Sequence, residues 1–283
     1  MGIVDKLQDK SYQIDLVTEF FDGKYTREQV EDFLFTEVDN EGQNIRKGVK
    51  VLADEFIDEF GMGKLATDTE TDSKVRDWYE ATDFYVFDLL PWNTCGSFQD
   101  KLQYTKDRLN ELESKTIVDY GGGLGIVSIA LHETGNFDKI YYVDLKGSVT
   151  YGFAEFLINK LGLKDKIIMM GDTEFFESDL FVDCIVSNDC FEHICDLETC
   201  IDELVKKTNL IVHDSTFQTD HHTPQHLHSQ GMDWFLQLML DRYFLILNGD
   251  PRLLSKIGFK YGFDTGKLDM YHKFQQNPQI LNK

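Results

Sequence analysis

The sequence is poor in cysteine, and its few cysteines are not arranged as a disulfide framework. Only five occur in 283 residues. The number is odd, and no two of them form a CxxC motif. The N-terminus, MGIVDKLQDK, lacks an apolar segment long enough for a secretory signal peptide. These absences predict reduced thiols in a cytoplasmic protein.

Long apolar runs and basic clusters are also missing. The longest apolar run, residues 243–247, is far shorter than the roughly 20 residues that a membrane-spanning helix needs. The chain has 28 Lys and Arg against 50 Asp and Glu, a net charge of −22, and both halves share the acid excess. Because phosphate backbones and anionic membranes bind to clustered Lys and Arg, we expect neither a nucleic acid nor a membrane as partner.

The first hundred residues have the pattern of a helical segment. With 42% hydrophobic and 13% aromatic residues, the chain can bury a real core. Thr26 and Gln29 resemble a capping box at a helix start. Apolar residues at helical spacing predict a helix over 43–60, and an aromatic-rich segment is expected to break at Pro91. A polar helix follows over 97–114, and no strand is predicted in this region.

From Thr116 onward, short apolar strands alternate with helical stretches. The predicted strands are 116–119, 140–144, 167–170, 182–187 and 210–212, and the predicted helices are 126–134, 148–161, 197–206 and 231–242. Strands that alternate with helices of about 10–15 residues predict a parallel sheet with right-handed crossovers. The sequence therefore predicts an α/β fold.

A glycine-rich loop follows the first predicted strand. Residues 119–125 read Asp-Tyr-Gly-Gly-Gly-Leu-Gly, and a glycine loop between a strand and a helix lets a ligand approach the backbone closely. Asp144 ends the next strand, where a carboxylate can accept hydrogen bonds from ribose hydroxyls. Together these features predict a nucleoside-containing cofactor. The dinucleotide pattern GxGxxG is not met, because Ile126 stands where its last glycine is required.

The pattern DxGxGxG resembles the first motif of the class I S-adenosylmethionine-dependent methyltransferases. Met170-Gly171-Asp172 is similar to the third motif of that superfamily, whose acidic residue commonly contacts the adenine amino group. Residues 183–193, which end in Glu192-His193, are similar to its fourth-strand segment. The resemblance covers about 116–217. It departs at 206–209, where Lys-Lys-Thr-Asn replaces the frequent Gly-Gly.

The resemblance implies a Rossmann-like fold with a mostly parallel, seven-stranded sheet and S-adenosylmethionine as cofactor. The residues expected to bind the cofactor are Asp119, Tyr120, Gly121, Gly123, Gly125, Asp144, Leu145, Asp172, Thr173, Asn188 and Asp189. Residues 97–283 would form the catalytic domain. Residues 1–96 would form a helical cap for substrate selection or dimerisation, which leaves a homodimer open.

The expected activity is methyl transfer to oxygen or nitrogen of a small molecule. A protein methyltransferase and a non-catalytic cofactor-binding or assembly protein are the alternatives. The Asp/Asn-Pro-Pro-Tyr type of motif of base-amino methyltransferases is absent, because Ser187-Asn188-Asp189-Cys190 stands at its place.

Three residues are candidates for catalysis. His213 and Asp214 end the fifth strand at the edge where open α/β sheets bind ligands, and His226 lies in the His-rich segment 220–228. His193 is as consistent with a structural role as with a chemical one. The spacing HHxxxHxH of the His-rich segment matches no structural zinc pattern, so no metal site is predicted. The acceptor, the need for a base and the oligomeric state stay open.

Overall fold

The computed structural model describes residues 2–40, 42–61, 65, 69–217, 224–228, 230–242, 244–247 and 250–255. Its helices are α1 (Ile3–Leu7), α2 (Lys10–Phe20), α3 (Arg27–Phe35), α4 (Lys47–Phe60), α5 (Thr69–Ala81), α6 (Phe84–Thr94), α7 (Gly96–Glu111), α8 (Ile126–Thr134), α9 (Val149–Lys160), α10 (Asp172–Glu177), α11 (Leu197–Leu204) and α12 (Met232–Leu240), with a short 3₁₀ helix over Phe191–His193. Its strands are β1 (Glu37–Asn40), β2 (Gln43–Arg46), β3 (Thr116–Tyr120), β4 (Lys139–Asp144), β5 (Ile167–Gly171), β6 (Cys184–Asn188), β7 (Leu210–Asp214), β8 (Leu245–Leu247) and β9 (Asp250–Ser255).

The large sheet has seven strands in the order β5-β4-β3-β6-β7-β9-β8. Strands β3 to β7 pair in parallel, and β9 runs antiparallel to both β7 and β8. The Rossmann-like, mostly parallel sheet that the resemblance implies is therefore confirmed. Strands β4 and β5 are added on one side of β3, and β6 and β7 are added on its other side, so the strand order reverses between β3 and β6. Open α/β sheets bind ligands at the carboxyl ends of the strands at such a switch point.

Helices cover both faces of this sheet, as its buried strands require. All five residues of β6 are buried, which fits an apolar strand between two helical layers. One core contains side chains from α1, α2, α6, α8 and α9, and the other contains side chains from α11 and α12. No helix within the described ranges is both long and apolar enough to cross a bilayer. All five cysteines lie in these ranges, and none of them forms a disulfide bond there.

The N-terminal helices pack directly onto the sheet layer. Phe20 lies against Phe153 of α9 with ring centroids 5.1 Å apart, and Phe21 stacks on Phe87 at 5.6 Å. Both pairs belong to the core that α8 and α9 also line. The division into domains at residue 96 stays a prediction, and the apolar core is continuous across it.

Two expectations for the N-terminal region were wrong. The predicted helix over 43–60 begins at Lys47, because residues 43–46 form β2 and pair antiparallel with β1. These strands are short and polar, so their sequence has no apolar alternation to signal them. Helix α6 also continues through Pro91 to Thr94. Pro91 lacks the N–H that would donate to the carbonyl of Phe87, so the helix has one backbone hydrogen bond fewer and ends three residues later.

The capping box predicted at Thr26 is confirmed. The hydroxyl of Thr26 accepts from the N–H of Gln29 at 3.2 Å, and the side chain of Gln29 accepts from the N–H of Thr26 at 2.9 Å. These bonds satisfy two of the N–H groups that a helix start leaves without partners.

Candidate functional site

The glycine loop after β3 turns so tightly that it requires glycine at position 121. Gly121 has a φ of 69°, in the left-handed region that disfavours side chains. A Cβ atom at this position would overlap the sulfur of Cys190. The N–H of Gly121 donates to the carbonyl of Val143 at 2.9 Å and ties the loop to β4. The loop backbone therefore approaches the end of β6 with no room for a side chain.

Asp144 connects this loop to the carboxyl end of β4. Its carboxylate accepts from the N–H of Gly123 at 2.6 Å and from the N–H of Leu145 at 2.7 Å. Burial raises the pKa of Asp144 to about 6, although the two N–H donors act in the opposite direction. Each oxygen retains acceptor capacity, so the carboxylate can accept hydroxyl groups of a ligand as well.

Asp119 and Gly125 connect the glycine loop to helix α8. Asp119 is buried, and one of its oxygens accepts from both the N–H and the hydroxyl of Ser128, at 3.0 and 2.7 Å. Burial raises the pKa of Asp119 to about 7. Gly125 has a φ of 76° and precedes the first residue of α8. These contacts hold the glycine loop against the start of α8.

A cleft of about 280 Å³ opens above the carboxyl ends of β3 to β6. Seven of the residues predicted to bind the cofactor line it: Tyr120, Gly121, Gly123, Asp144, Leu145, Asp172 and Asp189. The other four, Asp119, Gly125, Thr173 and Asn188, lie in the same loops and strand ends but not on its wall. Most of the predicted cofactor residues thus come together at one cavity, although the role of each stays a prediction.

Helix α5 covers the cleft through polar contacts that the sequence did not indicate. Arg76 forms an ion pair with Asp172, with a nitrogen–oxygen distance of 2.6 Å. Asp72 accepts from the N–H of Asp196 at 3.2 Å. Both α5 residues line the cleft. In the sequence they are ordinary charges in a polar helix, so no local pattern identifies them.

The aromatic residues of α5 and α6 serve two surfaces. Tyr79 and Tyr85 stack with ring centroids 5.0 Å apart and line the cleft. Phe84 and Phe87 pack instead against Phe33, with centroids 5.1 Å from it in both pairs. The aromatic segment therefore both docks the N-terminal helices and contributes to the cavity.

Asp189 and Asp214 share a lysine at the ends of β6 and β7. Asp189 accepts from the Lys101 ammonium at 3.0 Å and from the indole N–H of Trp92 at 2.9 Å. Asp214 lies 3.5 Å from the same ammonium nitrogen. Asp214 does not line the cleft, whereas Asp189 does. Lys101 and Trp92 belong to α7 and α6, so this cluster joins the N-terminal helices to the sheet edge.

Asn188 has an amide without partners at the end of β6. It is only 9% exposed, and neither its oxygen nor its nitrogen has a hydrogen-bond partner among the described residues. Buried amides are normally paired, so this one favours a ligand or an ordered water at the strand end.

His213 is fully buried, away from the cleft wall. Its Nε2 lies 3.1 Å from the carbonyl oxygen of Pro251, and its ring centroid is 4.7 Å from that of Phe235. Burial lowers the pKa of His213 to about 4. A histidine with this pKa is neutral at pH 7 and is a weak base. Its catalytic role stays a prediction, and this environment favours a structural one.

We expect His213→Ala to lower the free energy of unfolding by about 3 kcal/mol, because it leaves a cavity beside Phe235. The melting temperature should fall by roughly 6–12 °C, while cofactor affinity stays unchanged. Calorimetry and ligand titration measure the two effects, with His132→Ala on α8 as the control. If the melting temperature instead stayed unchanged while the turnover rate fell sharply, His213 would be the general base.

The His-rich segment is described only in part. Residues 220–223, which include His221 and His222, lie outside the described residues. His226 is half-buried, and its ring centroid lies 4.7 Å from that of His193. Nδ1 of His193 lies 3.1 Å from the hydroxyl oxygen of Tyr79. His193 lines the cleft and His226 does not.

Comparisons with known proteins yield matches in structure alone. No protein-family model and no curated protein matches the sequence. An O-methyltransferase family protein from Burkholderia thailandensis is similar at 14% identity and a TM-score of 0.49, over 84% of this chain and 74% of that one. Magnesium protoporphyrin IX methyltransferase from Synechocystis, solved with bound S-adenosylmethionine, has 16% identity and a TM-score of 0.47, over 65% of this chain and 89% of that one.

A third solved structure, an S-adenosylmethionine-dependent methyltransferase from Clostridium acetobutylicum, has 16% identity and a TM-score of 0.36. The match covers 42% of this chain and 50% of that one. A similarity at such low identity does not carry over an activity, which depends on the residues of the site.

Proposed function

We propose that this protein is an S-adenosylmethionine-dependent methyltransferase that methylates oxygen or nitrogen of a small molecule. The observation that carries the proposal is the hydrogen bond from the Gly123 N–H to the Asp144 carboxylate, at 2.6 Å. Both residues lie in the wall of a covered cleft. This hydrogen bond joins a glycine loop to the carboxylate of the neighbouring strand. A nucleoside ligand would find a ribose acceptor there, beside a glycine backbone that it can approach closely.

The residues present fit this cofactor. The glycine loop lies against Cys190 with no side chain between them, and Gly121 and Cys190 both line the cleft, where the methionine part of the cofactor would lie. Asp144 would hold the ribose hydroxyls. Asp172 would contact the adenine amino group, next to Arg76. The negative charge along this wall suits a cofactor that carries a positive sulfonium.

When bound, S-adenosylmethionine supplies an electrophilic methyl group for in-line displacement. The contribution of the chain would be to hold the acceptor close to that methyl group and to exclude water, and such positioning supplies much of the rate. Helices α5 and α6 cover the cleft and would perform both tasks with Tyr79 and Tyr85. We assign no general base, since a carboxylate acceptor would not need one.

A small acceptor is favoured by the cover over the cleft. Arg76 and Asp72 of α5 contact Asp172 and Asp196 on the opposite wall, so the cavity is bounded on both sides. A protein chain or duplex would need a more open surface. The net charge of −22 also disfavours a nucleic acid.

S-adenosylhomocysteine is the probe that tests cofactor binding. At a concentration of about 100 times its dissociation constant, a ligand stabilises a folded protein by about 2.7 kcal/mol, so the melting temperature should rise by roughly 5–10 °C. Adenosine diphosphate with the same buffer is the control for a general nucleotide effect. No rise at millimolar S-adenosylhomocysteine would overturn the proposal.

Transfer itself is tested with methyl-labelled S-adenosylmethionine and separated fractions of a cell extract. Label in a small-molecule fraction supports the proposal. Label in protein would favour a protein methyltransferase instead. A melting-temperature rise with no transfer to any fraction would favour a non-catalytic cofactor-binding or assembly protein.

A further inference from the structure

Three side chains with metal-binding groups meet beside the cleft. Glu192 and His193 belong to the 3₁₀ helix after β6, and His226 belongs to the segment 224–228, which follows β7. One ligand atom from each of the three lies within 4.8 Å of the other two. Such distances allow a single cation between them after small side-chain movements.

Glu192 has an unsatisfied carboxylate oxygen in this cluster. The side chain is fully buried, and its Oε1 accepts from the N–H of Thr216 at 2.8 Å. Its Oε2 has no hydrogen-bond partner among the described residues. A buried carboxylate oxygen without a donor costs free energy, and a bound cation would remove that cost.

Hydrogen bonds orient His193 so that one ring nitrogen can bind a metal. Its Nδ1 lies 3.1 Å from the carbonyl oxygen of Gln225, which can only accept a hydrogen bond, and 3.1 Å from the hydroxyl oxygen of Tyr79, which can also accept one. A proton on Nδ1 leaves Nε2 with its lone pair available. Metal-binding histidines usually donate their other N–H to a carbonyl or carboxylate in this way.

The segment that carries His226 is fastened to the same 3₁₀ helix. The N–H of Leu227 donates to the carbonyl of Glu192 at 2.7 Å, and Nε2 of His228 donates to the carbonyl of Ile194 at 2.6 Å. His226 thus lies between Gln225, whose carbonyl oxygen contacts His193, and the anchored Leu227, and its ring is nearly perpendicular to that of His193, at 84°. The ligand set is therefore positioned by the fold.

We propose that Glu192, His193 and His226 bind one divalent transition-metal ion of the kind represented by Zn²⁺, Mn²⁺ and Co²⁺. Two imidazoles and one carboxylate suit these ions, whereas Mg²⁺ and Ca²⁺ prefer sites made of oxygen. Three protein ligands leave coordination positions open. Because His193 lines the cleft, these positions would take oxygen atoms of the acceptor, a part of the inference that rests on the proposed function.

Metal binding is measured with the metal alone, so its outcome does not depend on methyl transfer. Protein treated with a chelator and dialysed is titrated with Co²⁺, whose visible absorption reports its ligands, and with Zn²⁺ by calorimetry. We expect one ion per chain. Glu192→Gln and His226→Ala should each weaken binding at least about 100-fold, and Tyr79→Phe, beside His193, should weaken it less.

The matched control is His132→Ala on α8, which should bind the metal as the unmodified protein does. Acetohydroxamate, which chelates through two oxygens, should change the Co²⁺ spectrum if coordination positions are open. Unchanged affinity in both Glu192→Gln and His226→Ala would overturn the site, and a spectrum insensitive to acetohydroxamate would overturn the open positions. The S-adenosylhomocysteine shift, repeated with chelator present, shows separately whether the proposed function holds.

Discussion

Replacing Asp144 with alanine is expected to weaken S-adenosylhomocysteine binding by about 100-fold. The carboxylate would accept from the ribose hydroxyls, and a hydrogen bond to a charged group contributes about 1.5–3 kcal/mol. It also holds the Gly123 N–H at 2.6 Å, so its loss would loosen the loop. The melting temperature of the free protein should change little, because burial already disfavours the charged form of Asp144. Calorimetric titration measures the affinity.

Asp138→Ala is the matched control for this variant. Asp138 is exposed and directly precedes β4, whose other end is Asp144. The Asp138→Ala variant should bind S-adenosylhomocysteine with unchanged affinity. An Asp144→Ala variant that binds as tightly as Asp138→Ala would contradict the ribose role.

The affinity should also depend on pH through the same carboxylate. Burial raises the pKa of Asp144 to about 6 in the free protein. The ribose hydroxyls are bound best by the ionised form, so binding should be strongest above pH 7 and weaken as the pH falls through about 6. Asp144→Asn, which cannot titrate, should remove this dependence. A pH profile identical in both proteins would assign it to another group.

Gly121→Ala is expected to abolish detectable cofactor binding and to lower the free energy of unfolding by about 3 kcal/mol. The new Cβ would overlap the sulfur of Cys190, and overpacking costs about 1–3 kcal/mol. The left-handed φ of 69° adds about 1–2 kcal/mol for a residue with a side chain. The loop must then move away from β6, which changes the wall of the cleft against which we place the methionine part of the cofactor.

Gly162→Ala separates these two costs. Gly162 has nearly the same φ, 70°, but nothing lies within 4 Å of a Cβ built there. The free energy of unfolding of Gly162→Ala should fall only by the cost of the left-handed backbone, about 1 kcal/mol, and this variant should bind S-adenosylhomocysteine normally. Equal melting temperatures for Gly121→Ala and Gly162→Ala would show that the contact with Cys190 does not constrain the loop.

The sequence by itself determined the α/β core and the wall of the cleft that Gly123 and Asp144 form, because both depend on local patterns. Apolar strands alternate with helices from Thr116 onward, and their order fixes a parallel sheet with its ligand-binding edge. A glycine loop after β3 and an acid at the end of β4 must then meet at that edge, as Gly123 and Asp144 do. Nothing beyond strand register is needed to bring them together.

Only the tertiary structure determined which residues cover this wall of the cleft and which residues lie beside it. Arg76 pairs with Asp172 from a helix almost a hundred residues earlier in the chain, and a charge on an exposed helical face carries no local sign of its partner. His213 lies inside the core instead of at the cleft, because its Nε2 is within hydrogen-bond distance of the carbonyl oxygen of Pro251 in β9. Glu192 and His226 meet because backbone hydrogen bonds fold a distant loop onto the 3₁₀ helix. Such contacts join segments far apart in sequence, and their geometry is set by packing, which no local spacing records.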